Sequence, residues 1–159
     1  MSIHGHRHPR WAQKLFSEAD FTAIAEAVRR AEETTSAEIR VHLERRAHRF
    51  PGQRPDALRR ARTVFDHLGM HLTAEHHGVL IYLAVEDRKL AIVGDEGIHG
   101  RVGDRYWEGV RDLMIGKLSE GRPLDAVLTG VAEVGRVLAE HFPRRPDDRN
   151  ELSDHVSAH

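Results

Sequence analysis

The chain contains no cysteine, and it has few aromatic residues, no long apolar run and almost no net charge. The absence of cysteine excludes disulfide bonds, thiolate nucleophiles and thiolate zinc sites. The 24 Lys and Arg residues nearly balance the 25 Asp and Glu residues, so no overall field favours nucleic acid or an anionic membrane. The longest apolar run, Val79 to Val85, is much shorter than the roughly twenty residues that cross a bilayer. Partners must therefore be recognised locally, and we expect no membrane span.

The two ends of the chain are polar and show no apolar periodicity. Residues 1–10 contain no apolar core of the kind that a signal peptide needs, so we expect a cytoplasmic location. We expect residues 1–16 to be a flexible N-terminal segment and residues 144–159 to be a disordered C-terminal tail. The remaining residues, 17–143, are enough for one folded domain.

Two helices are predicted in the first half of the domain, because apolar residues recur there every three or four positions. The first begins at Ser17, which forms a variant of the capping box with Asp20. The second begins at Asp56 and ends at Gly69, a residue suited to the left-handed conformation that terminates helices.

Two further helices are predicted in the second half, over residues 107–118 and 124–138. The last of them has a wide apolar face that contains Gly130 and Gly135. Because glycine lowers helix propensity by roughly 1 kcal/mol relative to alanine, close packing must compensate. We therefore expect this helix to lie tightly against the sheet.

Three segments have the pattern of strands. In residues 37–44, apolar and polar side chains alternate, which predicts a strand with one solvated face or an edge position. Residues 79–85 are apolar on both faces, as in a strand covered by helices on both sides. Only residues 86–89 separate them from the strand at 90–93, so these two strands must be antiparallel neighbours. The acidic glycine turn Gly94-Asp95-Glu96-Gly97 follows directly.

These elements predict an α/β fold with a mixed sheet of three strands and four helices that cover both faces of the sheet. A helical segment separates the first two strands, which favours a parallel pair. The first two strands then begin at the end of the sheet where the third strand finishes. This arrangement brings Glu38, Asp95 and Glu96 together, with His77 nearby.

Clustered carboxylates favour a cation, because they repel one another unless a positive charge or a proton neutralises them. Calcium, which accepts six to eight oxygen ligands, is the first expectation, and Mg²⁺ is an alternative. The sequence therefore predicts a metal site formed by Glu38, His77, Asp95 and Glu96. A second interpretation stays open, in which Asp95 caps Ile98 or a neighbouring amide and Glu96 faces water.

Three segments carry a family likeness: 33–41 around Thr35-Ser36-Ala37-Glu38, 78–85 around the apolar strand, and 91–98 around the acidic turn. With Trp107 and the closing His141-Phe142-Pro143, they resemble the TPM domain family, whose members include thylakoid, photosystem-repair and receptor-modulating proteins. The resemblance covers about residues 17–143. It implies an α/β/α sandwich with a twisted mixed sheet of three to four strands flanked by about four helices, although the residues alone indicate three strands. It also implies, in some members, bound calcium and a proposed acid phosphatase activity.

The family motifs correspond to particular residues of this chain. The Thr-x-x-Glu motif corresponds to Thr35 and Glu38, and the Gly-Asp-x-Gly motif corresponds to Gly94, Asp95 and Gly97. Many soluble relatives have Arg-Asn-Gly before the second strand, where this chain has His76-His77-Gly78. Imidazole in place of an amide oxygen favours zinc-like ions over calcium.

Two functions follow as alternatives. The first is a soluble module that binds a divalent cation, calcium before Mg²⁺ or Zn²⁺, and that recognises a protein partner. The second is a metal-dependent phosphatase in which Asp95 or Glu96 activates water. The chain has no P-loop, Gly-x-Ser-x-Gly or dinucleotide-binding motif, so the sequence leaves open whether it is an enzyme at all.

Three weaker patterns lie elsewhere in the chain. His67 and His71 have the spacing of two ligands on a helix, but the predicted helix ends between them at Gly69. If Met1 is removed, the new terminus Ser2-Ile3-His4 has the donors of a square-planar copper or nickel site. The arginines between residues 40 and 62 lack interleaved exposed aromatic residues and the net charge is near zero, so we expect a solvated face and no nucleic-acid binding.

Overall fold

The computed structural model describes residues 8–47, 52–70, 77–144 and 156–158. The helices in these ranges are α1 (Arg10–Gln13), α2 (Glu18–Glu32), α3 (Ala57–His67), α4 (Glu96–Val102), α5 (Asp104–Ser119) and α6 (Pro123–His141). The strands are β1 (Glu38–Glu44), β2 (Gly78–Ala84), β3 (Lys89–Gly94) and β4 (Ser157–Ala158).

The four strands form one mixed sheet with the order β3-β2-β1-β4. Strand β1 is parallel to β2, with Glu38 opposite Gly78, and β3 is antiparallel to β2. The predicted hairpin and the predicted parallel pair are therefore both confirmed. The fourth strand, β4, is parallel to β1 and pairs with His42 and Leu43.

Strand β2 lies at the centre and is buried along its whole length. Its side chains alternate between two apolar clusters, as the pleat of a strand requires. Val79, Ile81 and Leu83 pack with residues of α2, α5 and α6. Leu80, Tyr82 and Ala84 pack with residues of α3. Helices cover both faces, which confirms the predicted α/β/α sandwich.

The predicted ends of α2 and α3 are confirmed by their hydrogen bonds. The Ser17 side chain accepts from the Asp20 amide, and the Asp20 carboxylate accepts from the Ser17 amide, both at 3.0 Å. Asp56 caps α3 by accepting from the Arg59 amide. Gly69 follows α3 with φ +74°, the left-handed conformation predicted for it.

Helix α6 packs tightly, but its close neighbours are helices. A Cβ atom added to Gly135 would lie 2.8 Å from the Cβ of Ala31 in α2, and one added to Gly130 would overlap the Met114 side chain in α5. Close packing of α6 is therefore confirmed: helices are the nearest neighbours at its two glycines, and its apolar face shares a core cluster with β2. Glycine is needed at Gly135 because α2 approaches the α6 backbone, whereas at Gly130 the Met114 side chain occupies the space of a Cβ atom.

Both terminal segments contain ordered structure that we did not expect. Within residues 1–16, Arg10–Gln13 form α1, and Ala12 and Phe16 are buried in the core. Within residues 144–159, Val156 is buried and the next two residues form β4. Apolar side chains in these polar segments have partners in the core that are distant in sequence. The domain limits at 17 and 143 stay a prediction.

None of the helices in the described ranges combines the length and the apolar character that a bilayer-crossing helix requires.

Candidate functional site

Two acidic residues meet at the end of the sheet where β1 and β2 begin and β3 finishes. Glu38 is opposite Gly78 in the sheet register, and the Gly78 amide donates to Asp95 Oδ2 at 2.6 Å. Both acidic side chains are buried, with exposures of 4% for Glu38 and 8% for Asp95. The predicted convergence of the strand ends is therefore present in the structure.

Asp95 connects two elements through its side chain. Its Oδ2 accepts from the Gly78 amide at the start of β2, and its Oδ1 accepts from the Ile98 amide at 3.2 Å in the first turn of α4. This second bond makes Asp95 the N-cap of α4, a helix that the sequence analysis did not predict. The capping interpretation that we left open is therefore correct. A carboxylate has about four acceptor positions, so these bonds leave further capacity for a ligand.

Gly94 allows β3 to pass directly into α4. A Cβ atom at this position would lie 2.7 Å from Ile98 Cγ2, closer than side-chain carbons approach. Ile98 itself is fully buried in the core. The first glycine of the Gly-Asp-x-Gly motif therefore has a packing role, because it lets the capped turn lie against the hairpin.

The other two candidate ligands, His77 and Glu96, lie in different surroundings. The His77 ring lies 4.1 Å from the Phe142 ring, and the His77 carbonyl accepts from the Glu38 amide at 2.8 Å. Glu96 occupies the first turn of α4 and is exposed. The structure thus brings Glu38 and Asp95 to one sheet end, with His77 at the neighbouring backbone position and Glu96 facing solvent.

A calcium ion needs more ligands than these side chains supply in their present positions. Calcium takes six to eight oxygens, and within residues 8–47, 52–70, 77–144 and 156–158 no three His, Asp or Glu side chains are arranged to hold a metal ion. The expected metal site is therefore incomplete in this arrangement of side chains, and completing it would require Glu96 to turn toward Glu38 and Asp95.

Two further buried polar residues, Glu32 and Thr35, lie at this end of the fold. The sequence indicated Thr35 but not Glu32. Glu32, which is 2% exposed, accepts from the Ile39 amide through Oε2 at 2.8 Å. Thr35, matched to the family motif, donates to the Phe142 carbonyl at 2.6 Å and accepts from the Ala37 amide. Both residues join the turn before β1 to its surroundings. Glu32 stands beside Glu33 at the end of a helix, and no local pattern distinguishes it from a surface residue.

A separate polar cluster lies on the α3 side of the sheet, and we call it the Glu44 cluster. It consists of His42, Glu44, Arg60, Tyr82 and Ser157. Arg60 donates to both Glu44 oxygens, at 2.8 and 2.6 Å, and the Tyr82 hydroxyl donates to Glu44 Oε1 at 2.7 Å. His42 is fully buried, and its Nδ1 lies 2.6 Å from Ser157 Oγ.

The prediction of a solvated face for β1 needs correction, whereas on its outer edge β4 pairs only with His42 and Leu43 within the described residues. Glu38, His42 and Glu44 are all buried, although they alternate with apolar residues as on a solvated face. The reason is that Arg60 from α3 and Tyr82 from β2 bind Glu44 from 16 and 38 positions away. A buried carboxylate whose hydrogen bonds are all made by distant residues alternates with apolar residues in the same way as a solvated carboxylate. The alternation in the sequence therefore does not distinguish the two.

Hydrogen bonding dominates the ionisation of this cluster. Burial by itself would raise the pKa of Glu44, but hydrogen bonds from Arg60 and Tyr82, with His42 close by, outweigh burial and hold that pKa well below its ordinary value. Burial, and then the bond to Glu44, raises the pKa of Tyr82 well above its ordinary value of 10.0. Glu44 therefore carries a fixed negative charge near neutral pH.

Several sequence predictions lie outside the described residues. They concern the Ser2-Ile3-His4 terminus and His71, the second histidine of the i, i+4 pair. Of the arginines between residues 40 and 62, Arg45 and Arg46 bind the Glu86 carboxylate and Arg60 binds Glu44. These three side chains pair within the domain, as solvated or structural arginines do.

The fold and the strand-end carboxylates together define a class, a small α/β/α domain whose hairpin ends in a capped acidic turn. The sequence profile of the TPM domain matches residues 11–137, and the chain belongs to the TPM domain family. The structure of the BA42 protein from the psychrophilic bacterium Bizionia argentinensis is similar over 100% of both chains, with 34% identity and a TM-score of 0.78.

A more distant structure shares the fold alone. The N-terminal domain of a protein from P. gingivalis is 19% identical, over 80% of this chain and 79% of that chain, with a TM-score of 0.63. No match was found among curated proteins. Neither similarity assigns a ligand or an activity to this chain, so its function must be inferred from its own residues.

Proposed function

We propose that this TPM domain binds a divalent cation, calcium in the first place, at the strand-end site formed by Glu38, Asp95, Glu96 and His77, and that it acts as a protein-interaction module. The observation that supports this most directly is that the buried residues Glu38 and Asp95 both adjoin Gly78, Glu38 through the sheet register and Asp95 through its hydrogen bond. Carboxylates with low exposure are expensive to keep ionised unless charge or hydrogen bonds compensate.

The ligand set would be completed by motion of a single exposed side chain. Glu96 adjoins Asp95 and lies at the start of α4, where a rotamer change costs little. Carboxylate oxygens from Glu38, Asp95 and Glu96, together with water, would suit calcium. If the His77 ring turned away from Phe142 to join them, Zn²⁺ would be favoured instead.

Cation binding would affect the surface around α4. This helix has seven residues and is exposed along much of its length, so its position depends strongly on the Asp95 cap. A cation at the cap would remove negative charge and restrain Glu96, and the ordered α4 surface would then be presented to a protein partner.

The test is isothermal calorimetry of the full chain with CaCl₂, MgCl₂ and ZnCl₂, combined with thermal unfolding. We expect heat of binding and a higher melting temperature with at least one cation, and we expect Glu38→Gln and Glu96→Gln each to weaken binding by about tenfold or more. Glu108→Gln, an exposed residue of α5, is the control. Asp95 is left intact because it also caps α4. Absence of heat with all three cations would refute the metal site.

Phosphoester hydrolysis is the second candidate. Both Asp95 oxygens already accept from backbone amides, which makes Asp95 a poor general base, so Glu96 is the better candidate to activate water. Assays with p-nitrophenyl phosphate between about pH 5 and 8, with each cation, test this activity. Hydrolysis that is lost in Glu96→Gln and retained in Glu108→Gln would support a phosphatase, whereas inactivity under all conditions would remove the hypothesis.

A further inference from the structure

The outer edge of β1 is covered by the short strand β4. Strand β1 has seven residues, and the register of β4 covers His42 and Leu43. Nearer the start of β1, the Ile39 amide is bonded by the Glu32 side chain. Exposed strand edges are templates on which extended peptides add as further strands. The part of the β1 edge that can receive such a strand is therefore its second half.

This edge contains a specific receptor for a hydroxyl group. Ser157 Oγ lies 2.6 Å from His42 Nδ1, 3.4 Å from Arg40 Nε and 3.4 Å from the Val41 carbonyl oxygen. His42 is fully buried, so its ring is held in place by packing. A buried imidazole directed at a strand edge recognises a side chain, in addition to the backbone contacts that any strand would make.

The neighbouring Glu44 determines which ring nitrogen of His42 carries the proton, and therefore which nitrogen accepts a hydrogen bond. Glu44 Oε2 lies 3.9 Å from His42 Nε2, and because Glu44 is ionised we assign the imidazole proton to Nε2. Nδ1 is then an acceptor, and the Ser157 hydroxyl donates to it while Arg40 Nε donates to Ser157 Oγ. A serine or threonine satisfies both roles, and alanine satisfies neither.

Apolar side chains flank the hydroxyl position. Val156 is buried in the core cluster on the opposite side of the sheet, and Ala158 packs against the same cluster. Alternation along a strand places Val156 and Ala158 on one face and Ser157 on the other. The edge thus selects an extended segment with the pattern apolar, hydroxyl, small apolar.

We propose that the edge of β1 beside His42 is a strand-addition site for an extended peptide with this pattern in a partner protein, and that residues 156–158 of the chain compete for it. Two paired positions provide little local stability, so the resident strand opens at low free-energy cost. The partner peptide would replace it and place its own Ser or Thr against His42. This site is separate from the strand-end carboxylates.

The experiment uses the ¹⁵N-labelled full chain and a synthetic peptide with the sequence of residues 152–159. Val156→Asp should release the resident strand, because an ionised carboxylate is costly in the core. We expect the peptide to shift the amide signals of His42 and Leu43 in this variant, with a dissociation constant about tenfold or more below that for wild type, since the competitor is removed. A peptide with alanine in place of Ser157 should bind about tenfold more weakly.

Wild-type protein provides a measurement that does not depend on the variant folding. Excess peptide should move the signals of residues 156–158 to the positions of an unfolded segment while the amides of β1 remain protected. The proposal is overturned if millimolar peptide moves none of these signals, or if the serine and alanine peptides bind equally. Light scattering that shows a dimer with exchanged C-terminal strands would also overturn it, because the edge would then serve self-association.

Discussion

Asp95 Oδ2 accepts a hydrogen bond from the backbone amide of Gly78 at 2.6 Å, across 17 positions of sequence. The same carboxylate caps α4 through the Ile98 amide. One side chain therefore holds the start of β2, the end of β3 and the start of α4 together. Any ligand role of Asp95 is additional to this structural one.

Removal of the Asp95 carboxylate should destabilise the fold. Asp95→Ala leaves two amides without their acceptor, so we expect the free energy of unfolding to fall by about 3 kcal/mol in urea titrations. Asp95→Asn keeps one acceptor oxygen and should cost less. Glu96→Ala, at the exposed neighbouring position, should change stability by about 0.5 kcal/mol or less. Equal losses for Asp95→Ala and Glu96→Ala would contradict the structural role.

Glu44 should make stability depend on pH in the acid range. Its pKa is depressed in the folded state, so the stabilisation is present above the ordinary value of 4.5 and is lost as pH falls toward the folded pKa. Wild-type protein should therefore exceed Glu44→Gln in stability at neutral pH, and the difference should shrink below about pH 4.5. Denaturant titrations of both proteins at several pH values measure this, and a difference that does not vary with pH would contradict it.

Tyr82 should resist ionisation at alkaline pH. Its raised pKa means that the folded state favours the neutral phenol, and the resulting stability is lost only as pH rises beyond the ordinary value of 10.0. Burial raises the pKa of Tyr106 as well, so Tyr106→Phe isolates the signal of Tyr82. We expect no tyrosinate absorbance at 295 nm in this variant until the protein unfolds. Normal titration near pH 10 would show that Tyr82 is not held by Glu44.

Substitution of alanine for Gly135 and for Gly116 should change the stability of the fold in opposite directions. Inside a helix, alanine is more favourable than glycine by about 1 kcal/mol, and this holds at either position. At Gly135 the new Cβ would lie 2.8 Å from Ala31, whereas at Gly116 it would meet no atom within 4 Å. We expect Gly135→Ala to destabilise by about 1–2 kcal/mol and Gly116→Ala to stabilise by up to about 1 kcal/mol. Thermal unfolding compares the two, and stabilisation by both would contradict the close contact of α2 with α6.

The parts of the fold that sequence predicted correctly are those whose causes are local. The capping box at Ser17, the terminator Gly69 and the hairpin with its short polar break all involve residues near one another in the chain. Parallel pairing of β1 with β2 followed from the helix between them. Local chemistry and simple connection rules were sufficient for these features.

The parts that sequence missed depend on distant partners. Strand β4 has two residues, too few for any periodicity, and its pairing partner, β1, is more than a hundred positions away in sequence. The burial of Glu44 depends on Arg60 and Tyr82, which its own neighbourhood does not indicate. At the candidate site, strand order predicted that Glu38 and Asp95 would meet, whereas the directions of His77 and Glu96 depend on packing against Phe142 and on exposure.

The hydrogen bond between Tyr82 and Glu44 also bears on errors of folding. A hairpin displaced by one residue would turn every side chain of β2 to the opposite layer. The Tyr82 hydroxyl would then enter the apolar layer beneath α2 and α6, and Glu44 would lose a donor while remaining enclosed by α3. A hairpin in the wrong register therefore carries two energetic costs, an unpaired Tyr82 hydroxyl and a Glu44 carboxylate with one donor fewer. A central strand of aliphatic residues alone would carry neither cost, so this hydrogen bond disfavours a misfolded register.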